Sequence, residues 1–298
     1  MLPARVHTSG DFATFFDAEQ ARLLKALYFV TGNREEAADS LGASNLTLSP
    51  DGRTIVFSSD HDGSAEIGTV GVDGTGLRWL TTQTFNCIAP AWSPDGSRIA
   101  FVAGFGTPQG QEVHVVNPDG SNLRKLTSDA GSDQWPSWSP DGKTIAYSNS
   151  GRTPLDDSGF SHTQELWTVP ADGGTPTRLT HNDMWDDMPV YSPSGRLIVF
   201  DRQGSIWTMA ADGSNPHPLR GLPGDSGFNP RWSPDGSKIA FLSYDGDRSA
   251  SDAPLLSVHV LDLSTGTSTV VPGKVETDAN APSWLPSSDA LLVNRYSG

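Results

Sequence analysis

Apolar and polar residues alternate in short runs along most of the chain, and turn residues stop each run. Val113-His114-Val115, Leu166-Trp167-Thr168-Val169 and Ile206-Trp207-Thr208-Met209 alternate with a period of two, as half-buried strands do. Apolar clusters such as Ile99-Ala100-Phe101 predict further strands, and Asp-Gly pairs at 73, 119, 172 and 212 predict tight turns between strands. Helical spacing is confined to the beginning of the chain, at Phe12, Phe16, Leu23, Leu24 and Leu27. Asn33, followed by Glu36, has the form of a capping box at a helix start. The pattern predicts a helical segment over residues 1–42 and an all-β domain over 43–298. A competing prediction makes residues 26–30 a strand that closes the β domain from the other terminus.

The strands fall into an internal repeat. Trp92-Ser93-Pro94-Asp95-Gly96 returns as Trp138-Ser139-Pro140-Asp141-Gly142 and as Trp232-Ser233-Pro234-Asp235-Gly236. Weaker copies are Leu48-Ser49-Pro50-Asp51-Gly52, Tyr191-Ser192-Pro193-Ser194-Gly195 and Trp284-Leu285-Pro286. Prolines at 50, 94, 140, 193, 234 and 286 are spaced 41 to 53 residues apart. A period of roughly 40–50 residues is that of β-propeller blades. Each unit predicts strands A to D: A ends at the Trp-Ser pair, Pro-Asp-Gly turns into B, and Asp-Gly separates C from D. A four-stranded meander cannot bury both faces alone, and stacking such units around an axis does. The expected fold is therefore all-β, a six-bladed β-propeller with its last blade incomplete, preceded by a short helical segment. The repeated Trp is expected to pack between blades, and the repeated Asp to form turns.

Composition narrows the functional classes. The 298 residues carry a net charge of −15, which disfavours direct nucleic-acid binding. The single cysteine, Cys87, excludes an internal disulfide. No apolar run approaches the ~18 residues that span a bilayer, and no signal-peptide pattern opens the chain, so a cytoplasmic, non-membrane protein is expected. No nucleophile elbow, phosphate-binding loop or dinucleotide fingerprint is present, and no cofactor is expected.

The repeat motifs resemble the TolB-like, WD-repeat-like β-propeller family across residues 45–298. That resemblance implies a propeller fold, and relatives include scaffolds that bind partner proteins and gating domains of serine peptidases. Some related propellers degrade oligosaccharides with a bound metal. Residues 11–39 separately resemble region 2 of extracytoplasmic-function sigma factors, from Asp11-Phe12 to Glu36-Ala37-Ala38-Asp39. The fragment stops short of the promoter-melting helices, so contact with RNA polymerase is the weaker reading of it.

Topology places the candidate site. Short A–B and C–D turns share one end of the ring; the B–C loops at 58–66, 102–112, 148–165, 201–205 and 242–257 share the other with the D–A connections. Variable loops on a rigid ring are where binding surfaces sit. The D–A connections bring Trp135, Trp185, Asp186, Asp187, Phe228 and Asn229, aromatics beside carboxylates and an amide, to that end. This mixture suits a protein or peptide partner, with a small-molecule ligand as the alternative. His181, Asp183 and Asp187 are the best metal-like grouping. The leading expectation is a non-catalytic binding scaffold. Two readings stand beside it: a lyase or hydrolase with an acidic or metal site, and a transcription-linked adaptor working through residues 1–42.

Overall fold

In the computed structural model of the chain, the described residues are 47–59, 64–82, 86–105, 110–128, 131–151, 163–222, 227–244, 256–271, 282–284 and 291–292. Five antiparallel four-stranded sheets follow one another, each a meander in chain order. The first has β1 (Thr47–Leu48), β2 (Thr54–Ser59), β3 (Glu66–Gly71) and β4 (Arg78–Trp79). The second has β5 (Asn86–Trp92), β6 (Ile99–Phe105), β7 (Glu112–Val116) and β8 (Arg124–Lys125). The third has β9 (Ser132–Trp138), β10 (Thr144–Ser150), β11 (Gln164–Pro170) and β12 (Thr177–Arg178). The fourth has β13 (Asp186–Tyr191), β14 (Leu197–Arg202), β15 (Ser205–Ala210) and β16 (His217–Pro218). The fifth has β17 (Phe228–Trp232), β18 (Lys238–Tyr244), β19 (Leu256–Asp262) and β20 (Thr267–Val270).

The expectation of six blades is corrected: the propeller has five. Among the described residues the last repeat yields β21 (Ser283–Trp284) and β22 (Leu291–Leu292), a two-stranded ribbon. The reason lies in what the repeat encodes. The Trp-Ser-Pro-Asp-Gly signature specifies strand A and its turn into B; strands C and D need the alternating run and the second Asp-Gly turn. The last unit keeps only the Trp and Pro of that signature, as Trp284-Leu285-Pro286-Ser287-Ser288. No helix occurs among the described residues, and none there is long and apolar enough to cross a membrane. The helix expected over 1–42, the alternative strand at 26–30 and the sigma-like stretch at 11–39 all lie outside the described residues.

The signature works through a repeated hydrogen-bond device. Ser93 Oγ donates to Asp95 Oδ1 (2.6 Å) and accepts from the Arg98 N–H (2.9 Å), while the Gly96 N–H closes the turn on the Ser93 carbonyl (2.9 Å). Ser49–Asp51, Ser139–Asp141 and Ser233–Asp235 repeat the serine–aspartate bond. Gly96 sits at φ 69°, where a residue with a Cβ would be strained. The tryptophans bind the blades together: Trp138 Nε1 donates to the Ala91 carbonyl of the preceding inner strand (3.0 Å), and Trp92 and Trp284 donate likewise to Thr47 and Arg231.

Core clusters straddle the blade junctions. Ala100, Val113 and Val115 of the second blade pack with Trp138, Ile145 and Tyr147 of the third. Ala146 and Leu166 of the third pack with Tyr191, Ile198 and Phe200 of the fourth. Cross-strand aromatic pairs fill the second and fifth sheets. Phe101 stacks on His114 and Phe241 on His259, with ring centroids 5.5 and 5.3 Å apart. Burial pushes both imidazoles toward the neutral form, which is the form that stacks in a core. Cys87 is buried too, and burial pushes its thiol up to about 12, so it is an inert core side chain.

Candidate functional site

In the second to fifth blades the inner strand begins earlier than its aromatic–Ser pair suggests, and each is bulged at the same place. Ala89, Trp135, Met188 and Asn229 all adopt φ between 52° and 55°, and each directly precedes a proline. The register of β5, β9, β13 and β17 against its neighbour shifts at these residues. Positive φ is costly for a side chain as bulky as Trp or Met. Its recurrence in four blades marks a built feature that bends the inner strand where it enters the ring. Trp135 and Asn229 are thus equivalent positions on different blades, both half-buried. Phe228, half-buried beside Asn229, tilts against Tyr244 at 5.1 Å and belongs to the fifth blade's core cluster.

Trp185, Asp186 and Asp187 come together at the same end of the fourth blade. Asp186 is fully buried and takes a two-point ion pair from Arg202, Nε to Oδ1 at 2.5 Å and Nη2 to Oδ2 at 2.7 Å. The Arg202 guanidinium lies over Trp207, 4.5 Å from the ring centre. Asn182 Nδ2 donates to Asp186 Oδ2 (2.8 Å), and Asn182 N–H to Glu165 Oε1 (2.8 Å). Glu165 is paired in turn with Arg178 at 2.8 Å. These bonds hold the connection from β12 to β13 in one shape. The backbone of Met184 and Trp185 is fastened on both sides, by Gln164 N–H at 3.4 Å and Gln203 N–H at 3.0 Å. Exposed on this connection are Met184 at 39% and Trp185 at 38%, next to His181 and Asp183.

Asp187 reaches across the blade junction. Its Oδ1 accepts from Ser148 Oγ (2.6 Å) and Gln164 Nε2 (2.6 Å) of the third blade, and from the Met188 N–H (2.8 Å). Across β13 and β14 it pairs directly with Asp201, as Asp186 pairs with Arg202. Burial pushes Asp187 up to about 6, against the pull of its Ser148, Met188, Trp185 and Gln164 donors. Burial likewise pushes Asp201 up to about 7, opposed by the Gly204 N–H and reinforced by the charges of Asp187 and Asp186. Like charges directly opposed on neighbouring strands are destabilising. Gln203 and Gly204 alone join β14 to β15, both at positive φ, as a tight hairpin turn requires. The corresponding connections of the third and fifth blades run over 151–163 and 245–255.

His181 and Asp183 are exposed, whereas Asp187 is buried and bonded as above. Among the described residues no group of three or more His, Cys, Asp or Glu is disposed to hold a metal ion. Asp201, Arg202, Ser148 and Gln164 were not singled out from sequence. Aligning the repeats on their strand registers would have flagged the first two, because Asp201-Arg202 stand where other blades have Ser58-Ser59, Val102-Ala103, Ser148-Asn149 and Leu242-Ser243. A cavity of about 290 Å³ is lined by other residues, among them Arg98, Arg124 and Asn117 at the turn end. Asp172 already pairs with both arginines there.

Residues 80–206 match the family described as the TolB beta propeller domain. An uncharacterized protein of Agrobacterium fabrum is 32% identical over 149 residues, which are 44% of this chain and 47% of that protein. The chain therefore spans about half the length of this curated relative. The structure of a putative TolB from Agrobacterium tumefaciens superposes with a TM-score of 0.66 at 25% identity, covering 85% of this chain and 90% of that one. An oligogalacturonate lyase in complex with manganese superposes at 0.57 and 17% identity, over 76% of this chain and 64% of that one, a likeness of fold alone. These matches involve the repeats and lend no support to the sigma-like reading of residues 11–39. Over residues 80–206 the chain is similar to the TolB beta propeller domain.

Proposed function

We propose that the chain is a non-catalytic β-propeller that binds a protein or peptide on the end formed by its B–C and D–A connections. One observation carries this reading: Met184 and Trp185 are held out to solvent by a backbone fastened on both sides, above a buried charged cluster. Exposed aromatics on a rigid support are the residues that dominate protein interfaces, because little conformational entropy is lost when they are covered. Trp135, Phe228 and Asn229 extend the surface around the ring, with Asp186 and Asp187 beneath Trp185. The likeness to TolB proteins supports a scaffold role.

The test is an affinity capture from the native host, read by mass spectrometry, with wild type beside Trp185→Ala. Truncating an interface hot spot costs about 2 kcal/mol or more, roughly thirtyfold in affinity. A partner held by wild type and lost by the folded variant supports the reading. A partner held equally by both overturns the placement of the surface.

A second reading rests on Asp187 and Asp201. Two facing carboxyls pushed to about 6 and about 7 have the form of an acid–base pair poised near neutrality. It predicts turnover of an oligosaccharide substrate that Asp201→Asn abolishes. Against it, Asp187 Oδ1 is already committed to three donors.

A further inference from the structure

The fourth blade matches one cross-strand pair and leaves its neighbour unmatched. Asp186 faces Arg202; Asp187 faces Asp201, and among the described residues no cation pairs with either. Asp201 accepts the Gly204 N–H at 2.9 Å. Gln164, with 0% of its surface exposed, spends its Nε2 on Asp187, and its Oε1 has no hydrogen-bond partner. An unpaired acceptor at that depth is costly unless something completes it. Every unmet demand is of one kind: positive charge for the two carboxyls and an N–H for the amide oxygen.

The surroundings limit what can supply it. The partly exposed Trp185 indole is a partner for a cation, and Met184 beside it offers an apolar surface to a methylene stem. A lysine or arginine side chain has the charge, several N–H donors and such a stem. The chain's net charge of −15 draws basic segments toward it. Among the described residues no side-chain group suits a metal ion. Resting on the binding reading above, we infer that the partner presents a basic segment, one lysine or arginine of which enters beside Trp185 to meet Asp187, Asp201 and Gln164 Oε1.

The full chain would be titrated into two fluorescein-labelled peptides, Gly-Ser-Arg-Arg-Ser-Gly and its citrulline counterpart, and read by anisotropy. Citrulline keeps the shape of arginine and loses the charge. The arginine peptide should bind about tenfold or more tightly than the citrulline peptide, and Asp187→Asn with Asp201→Asn should remove about tenfold of that affinity. Asp95→Asn with Asp235→Asn, which removes the same charge at the opposite end, should change it by less than about twofold. If the double variant at 187 and 201 is unfolded by circular dichroism, Asp201→Asn against Asp95→Asn decides the same question. Equal binding of both peptides, or equal weakening by the two charge removals, overturns the inference. If it fails while Trp185→Ala still loses the host partner, the partner is not held by a cation and the binding reading stands. If Trp185→Ala keeps the partner, the binding reading itself has failed.

Discussion

The two ends of this propeller use aspartate in opposite ways. At the turn end, Asp95 and Asp235 lie at the surface. Each is held down to about 2, chiefly by its serine hydroxyl, Ser93 or Ser233, and then by the backbone N–H of Ser97 or Ser237. Those carboxylates are ionised, hydrogen-bonded and repeated, and they shape a turn. At the loop end of the fourth blade, Asp187 and Asp201 are buried, face one another and are pushed up to about 6 and about 7. The residue type does not set the role. The count of donors against the depth of burial does, because burial penalises the ionised form and each donor stabilises it. The turn end is built from satisfied, structural carboxylates; the loop end keeps facing, buried carboxyls beneath an exposed tryptophan, and the proposed binding surface rests on that difference.

The largest expected effect compares two arginine–aspartate pairs. Asp186→Ala strands Arg202 in the interior and should cost about 3–5 kcal/mol, seen as a large drop in the denaturation midpoint. Survival of that variant with wild-type stability would mean that Arg202 is not truly buried.

The next effect is a pH dependence. Folded Asp187 and Asp201 bind protons more tightly than the unfolded chain, so their stabilising contribution is complete below pH ~4 and is lost as pH rises through about 6 and about 7. The turn aspartates work in the other direction: their contribution is present above pH ~4 and is lost as pH falls toward about 2. Asp201→Asn should therefore raise stability at pH 8 by roughly 2–4 kcal/mol and flatten the profile between pH 5 and 8. An unchanged slope in urea melts across that range would remove the contrast between the ends.

The smallest effect returns to the turn end. Asp172, 88% exposed, meets Arg98 at 3.0 Å and Arg124 at 3.8 Å. Asp172→Ala should shift stability by less than about 0.5 kcal/mol, because solvent screens such pairs. A loss comparable to that of Asp186→Ala would show that depth is not what separates them.

Much of the fold was legible in the chain. The Ser-Pro-Asp-Gly turns fixed the strand A to B hairpins, and Trp92, Trp138 and Trp284 carried the blade contacts that their repetition implied. The Ala89-Pro90, Trp135-Pro136, Met188-Pro189 and Asn229-Pro230 pairs were also in plain view, yet nothing local reveals that each first residue adopts positive φ. A residue before proline is biased toward extended backbone, and only the bulged register overrules that bias. The blade count misled because one turn signature stood for a whole sheet. At the site, Trp185, Asp186 and Asp187 stood out by composition. Asp201 and Gln164 did not, because each looks ordinary on its own strand.

By itself, then, the sequence determined the repeat, the turns, the strand alternation and the end of the ring where variation collects, since all of these follow from interactions over a few neighbouring residues. The tertiary structure decided three things. Five units have all four strands, Asp186 rather than Asp187 received the arginine, and a glutamine 23 residues from Asp187 donates to its carboxylate while keeping its own oxygen unpaired. Those outcomes depend on cross-strand register and on the packing of the third blade against the fourth, which bring together groups that no local pattern relates.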